Sequence, residues 1–190
     1  MDKNMTLEKR IDAELYSYQG RMSVFVDDLR GHTVERGADE EFETASVIKA
    51  FLLAALYLQA ERGKADLSAE IEYEASQFVD GSGMLRALGV GARLKVKDTA
   101  TMMIICSDNI ATNMLIDYLG LDTINACIRE LGFAHTVLHN ALHSDRYRPQ
   151  GTTTPRDYAS LLAPMARGPR ASKAAGVHRL ASLAHQPSHT

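Results

Sequence analysis

Ser46-Val47-Ile48-Lys49-Ala50-Phe51-Leu52-Leu53-Ala54-Ala55-Leu56-Tyr57-Leu58 is the stretch on which the fold turns. From Phe51 to Leu58 it is apolar on every side rather than along one stripe, the pattern of a central helix covered all round. A helix over Ser46–Glu61 therefore needs neighbours on all faces, and the flanking sequence supplies them. Upstream, Leu7, Ile11 and Leu15 recur at helical spacing and predict an amphipathic helix over Thr6–Tyr18, stopped by Gly20. Met22–Asp28 reads as a strand, Leu29-Arg30-Gly31 as a turn and His32–Arg36 as the return strand of a hairpin. A polar, acidic loop from Ala38 to Thr44 leads into the central helix. Downstream, Gly81, Ser82, Gly83, Gly89 and Gly91 punctuate a looped region before a second apolar helix, Asp98–Cys106. Further helices are predicted at about Ile110–Leu119, Asp122–Leu131 and Pro155–Arg167, the last with Thr154 as N-cap and Pro155 in its first turn. Two N-terminal strands with many helices make an α+β domain.

The composition narrows the classes further. A chain of 190 residues has room for one domain, or one with a small appendage, and 45% hydrophobic with 24% charged residues excludes wholesale disorder. A net charge of −3 argues against nucleic acid or an anionic membrane as the main partner. No apolar run reaches the roughly 18 residues of a membrane span. The charged start Met1–Arg10 lacks the apolar core of a secretory signal, so the chain as written reads as cytoplasmic. Cys106 and Cys127 lie in apolar segments and read as buried free thiols. From Gly168 the character changes to a tail of Ala, Arg, Ser and His with a plausible helix around Ala171–Leu183. The organisation is thus one domain over 1–167 and an atypical tail over 168–190.

Two motifs carry chemistry. Ser46-Val47-Ile48-Lys49 places a hydroxyl at a helix start, where the macrodipole favours developing negative charge, and an amine one turn later on the same face. A lysine desolvated there loses basicity enough to take the serine proton. With 12 Ser and 7 Lys in the chain, chance gives roughly 0.4 such pairs, so an N-cap serine beside a solvated lysine remains the bland alternative. Ser107-Asp108-Asn109 lies 61 residues beyond Ser46, between two apolar helices, where chance gives roughly 0.02 of the tripeptide. A Ser-Asp that merely caps the next helix is its bland reading.

Together the two motifs resemble those of the class A β-lactamases and their penicillin-binding relatives. The surroundings match as well: Ala45–Lys49, Gly81-Ser82-Gly83-Met84-Leu85, Met103–Asn113 and Thr152-Thr153-Thr154-Pro155-Arg156-Asp157, in order over roughly residues 20 to 167. The resemblance implies a β-lactamase/transpeptidase-like α+β fold, a helical region with part of an antiparallel sheet. It also implies a serine acyl enzyme acting on a small-molecule β-lactam or D-alanyl peptide, without cofactor or metal. By that likeness Ser46 is the nucleophile, Lys49 its proton acceptor, Ser107 a shuttle to the leaving nitrogen, and Asn109 a holder of the substrate's side-chain amide.

The chain departs from the family's pattern twice. Where relatives carry a Glu-x-x-Leu-Asn whose glutamate activates the deacylating water, this chain has Ser144-Asp145-Arg146-Tyr147-Arg148-Pro149-Gln150-Gly151. Asp145, its one carboxylate, reads as a structural ion pair, so deacylation is expected to be slow, as in a penicillin-binding or esterase-like enzyme. The Lys-Thr/Ser-Gly strand that binds the substrate carboxylate and supplies an oxyanion donor is also absent. The chain accordingly reads as a member lacking the C-terminal strands, with an inactive fragment as the alternative. His135, His139 and His143 recur at helical spacing, but Gly132, Thr136 and Val137 favour an extended segment and no acidic or cysteine ligand sits nearby, which weighs against zinc. The glycines fit no phosphate loop, and the acidic patches Asp39–Glu41 and Glu70–Glu74 read as solvated faces.

Overall fold

The computed structural model describes residues 5–143 and 148–167; the tail 168–190, with its expected helix, and Asp145 lie outside the described residues. The helix predicted around Phe51–Leu58 is α2, Ile48–Glu61. Nine of its fourteen residues are buried, which its apolar circumference requires. Ser46 itself stands just before α2, in a single 3₁₀ turn, Ala45–Val47, rather than in the helix proper.

Four helices form the frame downstream: the one-turn α3 (Leu85–Leu88), then α4 (Val96–Ile105), α5 (Asn109–Leu119) and α6 (Leu121–Glu130). The last three pack with α2 into the core, whose fully buried side chains include Phe51, Leu56, Met103, Leu115, Ile124 and Ile128. Phe51 meets Phe133 edge-on at 5.2 Å between centroids, in a geometry that adds to simple burial. No helix among the described residues is long and apolar enough to cross a membrane. Cys127 is buried as its apolar context requires, whereas Cys106, at the C-cap of α4, is only half-buried.

The hairpin forms as β1 (Val24–Asp27) and β2 (Thr33–Arg36), antiparallel, with Val24 opposite Arg36 and Asp27 opposite Thr33. It is a two-stranded sheet, but it does not lie bare. Helix α7, Pro155–Arg167, packs against β1. Arg156 in its first turn donates to both oxygens of Asp39 (2.7 and 3.0 Å) and both of Glu35 (2.9 and 2.6 Å), with its guanidinium 5.0 Å over the Phe25 ring. Arg167, at the far end, donates to Asp27 at 2.9 Å. On the other side α1, Leu7–Ser17, buries no residue and is tied on by Asp12, which accepts two hydrogen bonds from Arg36.

Five strand segments were not anticipated. The acidic loop contains β3 (Phe42–Glu43), which pairs with β7 (Gly151–Thr153), and β7 pairs in turn with β6 (Val137–Leu138). The acidic run Glu70–Glu74 begins with β4 (Glu70–Glu72), paired with β5 (Arg93–Lys95) and bridged by Glu72 and Arg93, and its three glutamates are solvent-facing as expected. Strands of two or three residues are too short to display their alternation.

Candidate active site

The site is built where the start of α2 meets the α4–α5 junction. Backbone bonds fix its floor: Thr44 N–H donates to Gly151 O at 3.0 Å and Val47 N–H to Thr44 O at 3.1 Å, so the β3–β7 pair sets the position of Ser46. Ser46 is exposed and Lys49 is 2% exposed, so the solvated-lysine alternative is overturned. Lys49 Nζ donates to Ser107 O (2.8 Å), Ser107 Oγ (3.0 Å) and Asn109 Oδ1 (2.9 Å), and Ser107 Oγ lies 3.0 Å from Ser46 Oγ. All four residues singled out by the two motifs thus meet in one hydrogen-bonded cluster, with Ser107 between the amine and the exposed hydroxyl. Burial lowers the Lys49 pKa to about 8, against an opposing pull from the nearby Asp108 carboxylate.

Two non-glycine residues at this junction, Ala45 (φ 42) and Ser107 (φ 50), hold left-handed backbone. Such conformations cost roughly 1–3 kcal/mol each and persist only where the surroundings over-determine them. At Ser107 the surroundings are visible. Asp108, 1% exposed, caps α5 by accepting from Ala111 N–H at 2.9 Å, while its other oxygen accepts from Met84 N–H (2.6 Å) and Leu85 N–H (2.9 Å). Asp108 is therefore more than a cap: it joins α5 to the Gly81–Leu85 loop. Asn109 completes the seam, its N–H donating to Ser82 O and its Nδ2 to Asp80 O. A Cβ on Gly83 would collide with the Asp108 carboxyl, and one on Gly81 would sit 2.7 Å from Asn109 Nδ2. Those two glycines are required by close approach to the site, which the sequence alone showed only as turns.

A further clamp was invisible in the motifs. One turn beyond Asn109 on α5, Asn113 donates to Leu142 O at 3.0 Å and accepts from Leu142 N–H at 2.9 Å. It thereby holds the segment entering the 144–147 stretch against the helix that carries Asn109. On the opposite side, a cleft of about 400 Å³ opens beside Ser46, Lys49 and Ser107 and runs between α2, α4 and α7. His135 lies in the turn before β6 and His139 directly after the strand, His139 Nε2 lying 3.3 Å from Thr152 Oγ1 and His135 Nδ1 3.5 Å from Glu41. Among the described residues no group of three or more His, Cys, Asp or Glu side chains comes together around a metal-sized space.

The α+β frame thus brings an exposed serine, a buried lysine and a second serine into one hydrogen-bonded cluster. The beta-lactamase enzyme family matches residues 6–190, and the chain belongs to it. It is 32% identical over 157 residues to beta-lactamase ROB-1 of Haemophilus influenzae, spanning 76% of this chain and 48% of that relative. Among solved structures, a beta-lactamase from Sphaerobacter thermophilus superposes with a TM-score of 0.69 at 34% identity, over 80% of this chain and 59% of the other. PBP-A superposes at 0.76 and 28% identity, over 90% and 65%, and a PBP-A mutant is known as an acyl-enzyme complex with penicillin G. The chain spans about half the length of the curated relatives it matches.

Proposed function

We propose that the chain carries the acylating machinery of a serine β-lactamase-like enzyme, opening a β-lactam ring, or cleaving a D-alanyl peptide, through an ester on Ser46. The observation that carries this reading is the chain of hydrogen bonds from Lys49 Nζ through Ser107 Oγ to Ser46 Oγ. With Lys49 charged, its three donors are taken and it cannot act as a base. With Lys49 neutral, the relay reverses. Ser46 O–H donates to Ser107 Oγ, Ser107 O–H donates to the amine lone pair, and attack on the carbonyl drives the proton along that path to Lys49. Return of the proton through Ser107 neutralises the leaving nitrogen. Asn109, held by Lys49 and Asp80, is placed to position the substrate's side-chain amide.

The test is covalent. A fluorescent penicillin is expected to label Ser46, giving one adduct by peptide mass, and Ser46→Ala is expected to abolish it. Labelling that persists in the alanine variant overturns the assignment. A second reading, acylation with slow deacylation, is favoured by one feature: between Leu138 and Thr152 the sequence offers a single carboxylate, Asp145. A chromogenic cephalosporin should then give a burst followed by slow turnover, and steady fast hydrolysis without a burst would exclude it.

A further inference from the structure

Ala45 stands directly before the nucleophile with a φ of 42, a conformation that alanine abandons unless its surroundings hold it. Downstream, the buried Ile48 and Lys49 anchor it to α2. Upstream, the β3–β7 pairing amounts to two residues, Phe42 opposite Thr153 and Glu43 opposite Thr152, followed by the bond from Thr44 N–H to Gly151 O. So short a pairing is a weak anchor by itself. The acidic tract Asp39-Glu40-Glu41 reinforces it. Its carboxylates face solvent, yet each meets a cation from a different part of the chain. Arg156 of α7 donates to Asp39, Arg21 ahead of β1 donates to Glu40 at 3.3 Å, and His135 ahead of β6 lies 3.5 Å from Glu41. Arg21 does more than pair a charge. Its Nη2 donates to the backbone oxygen of Glu41 at 3.0 Å, and its guanidinium lies 4.4 Å over the Phe42 ring. One planar group thus holds the main chain of one residue and the side chain of the next, three and four positions before Ala45.

We propose that Arg21 is a positioning residue for the nucleophile: by fixing Glu41 and Phe42 it keeps Ala45 left-handed and Ser46 Oγ at its 3.0 Å from Ser107 Oγ. The proposal rests on Ser46 being the acyl nucleophile and adds what holds that hydroxyl in register. Released at Glu41 and Phe42, Ala45 relaxes toward negative φ and turns the peptide that carries Ser46. Lys49, Ser107 and Asn109 stay where the buried start of α2 and the Asp108 bonds keep them. Losing Arg21 therefore slows the bond-forming step and leaves substrate binding alone. A second consequence follows from the strain itself. Glycine adopts positive φ at no steric cost, so with glycine at position 45 the chain has no strain to relax and Arg21 matters less.

The experiment measures the rate of Ser46 labelling by fluorescent penicillin over a concentration series, with the 190-residue chain, well below its melting temperature. The Arg21 side chain is 63% exposed, so Arg21→Met is compatible with folding. It is expected to cut the saturating rate at least about fivefold and to move the half-saturating concentration less than about twofold. Ala45→Gly alone should change the rate less than about twofold, and in its background Arg21→Met should cost no more than about twofold. Arg93→Met removes an ion pair of similar exposure on the remote β4–β5 pair and should leave labelling unchanged. Labelling of Arg21→Met at the parent rate, an equal loss with alanine or glycine at position 45, or an equal loss in Arg93→Met overturns the proposal while the acyl-enzyme reading stands. A parent chain that is never labelled removes the acyl-enzyme reading, and the proposal falls with it.

Discussion

Burial shifts the acid–base balance of the Lys49 amine. Removing its side chain from water disfavours the ammonium, and with a pKa of about 8 roughly one molecule in ten is neutral at pH 7, against roughly three in ten thousand at the ordinary 10.5. The same burial has a cost in stability. Between pH 8 and 10.5 the unfolded chain holds this proton more tightly than the folded one, so stability rises with pH across that window, by about 3 kcal/mol in all. With Lys49 as the proposed proton acceptor, acylation is expected to follow the same titration. The rate of Ser46 labelling should climb with pH and level off above about 8, and Lys49→Arg, charged at every accessible pH, should lose it. A flat rate from pH 6 to 9 would mean that Lys49 is not the proton acceptor. Ser46, Lys49, Ser107 and Asn109 were readable in the sequence because each motif is contiguous and its residues face one point. Asp108 was not, since its partners Met84 and Leu85 stand 24 and 23 residues away and a capping aspartate looks the same whatever else it holds. The Asn113–Leu142 clamp, 29 residues long, escaped for the same reason.

Among the elements, the long helices were legible and the short strands were not. Helix α7 begins and ends where Thr154, Pro155 and Arg167 suggested, with Asp157 N–H donating to Thr154 Oγ1 at 3.1 Å. Strands β3, β6 and β7 owe their existence to partners far along the chain, and nothing within two or three residues announces them. The hairpin was legible, but its support was not: the sequence offered no companion strand, and the structure supplies a helix instead. Arg156 makes that support possible, since a single guanidinium grips Glu35 on β2 and Asp39 beyond it and stacks on Phe25 of β1. Its hydrogen bonds hold the Glu35 and Asp39 carboxyls below their usual range. Groups with depressed folded-state pKa values stabilise above the unfolded pKa and lose that contribution as pH falls through the folded one. These are solvent-facing groups, so the effect is screened by salt. Arg156→Met is therefore expected to lower the melting temperature by a few degrees at neutral pH and low salt. The deficit should shrink at high salt and in acid. A deficit that stays constant from neutral pH to well below the carboxylate range would show that Arg156 acts by packing alone.

Across the whole molecule, security falls away from α2. Helices α2, α4, α5 and α6 share one core and cover each other's apolar faces, so their opening approaches global unfolding. The relay is mounted on this part, with Lys49 on α2 and Ser107 and Asn109 at the α4–α5 junction, which keeps its geometry fixed. Helix α7 is intermediate: Leu161 is fully buried, but Leu162 faces the open cleft. At the far end stands α1, eleven residues with no buried side chain, capped by Thr6 through a 3.4 Å hydrogen bond and tied on by the exposed Asp12–Arg36 pair. Isolated helices shorter than roughly 12–15 residues are marginal in water, and one exposed ion pair adds little. Amides of α1 are therefore expected to exchange with deuterium nearly as fast as free chain, while those of α2 and α5 exchange only on global opening. Within residues 5–167, trypsin should cut first at Lys9, Arg10 or Arg21, leaving a core that begins near Met22. Removal of residues 1–19 should leave both the main melting transition and Ser46 labelling almost unchanged. If α1 amides prove as protected as those of α2, or the deletion abolishes the cooperative melt, then the N-terminal helix is a structural member of the core and this gradient of stability is wrong.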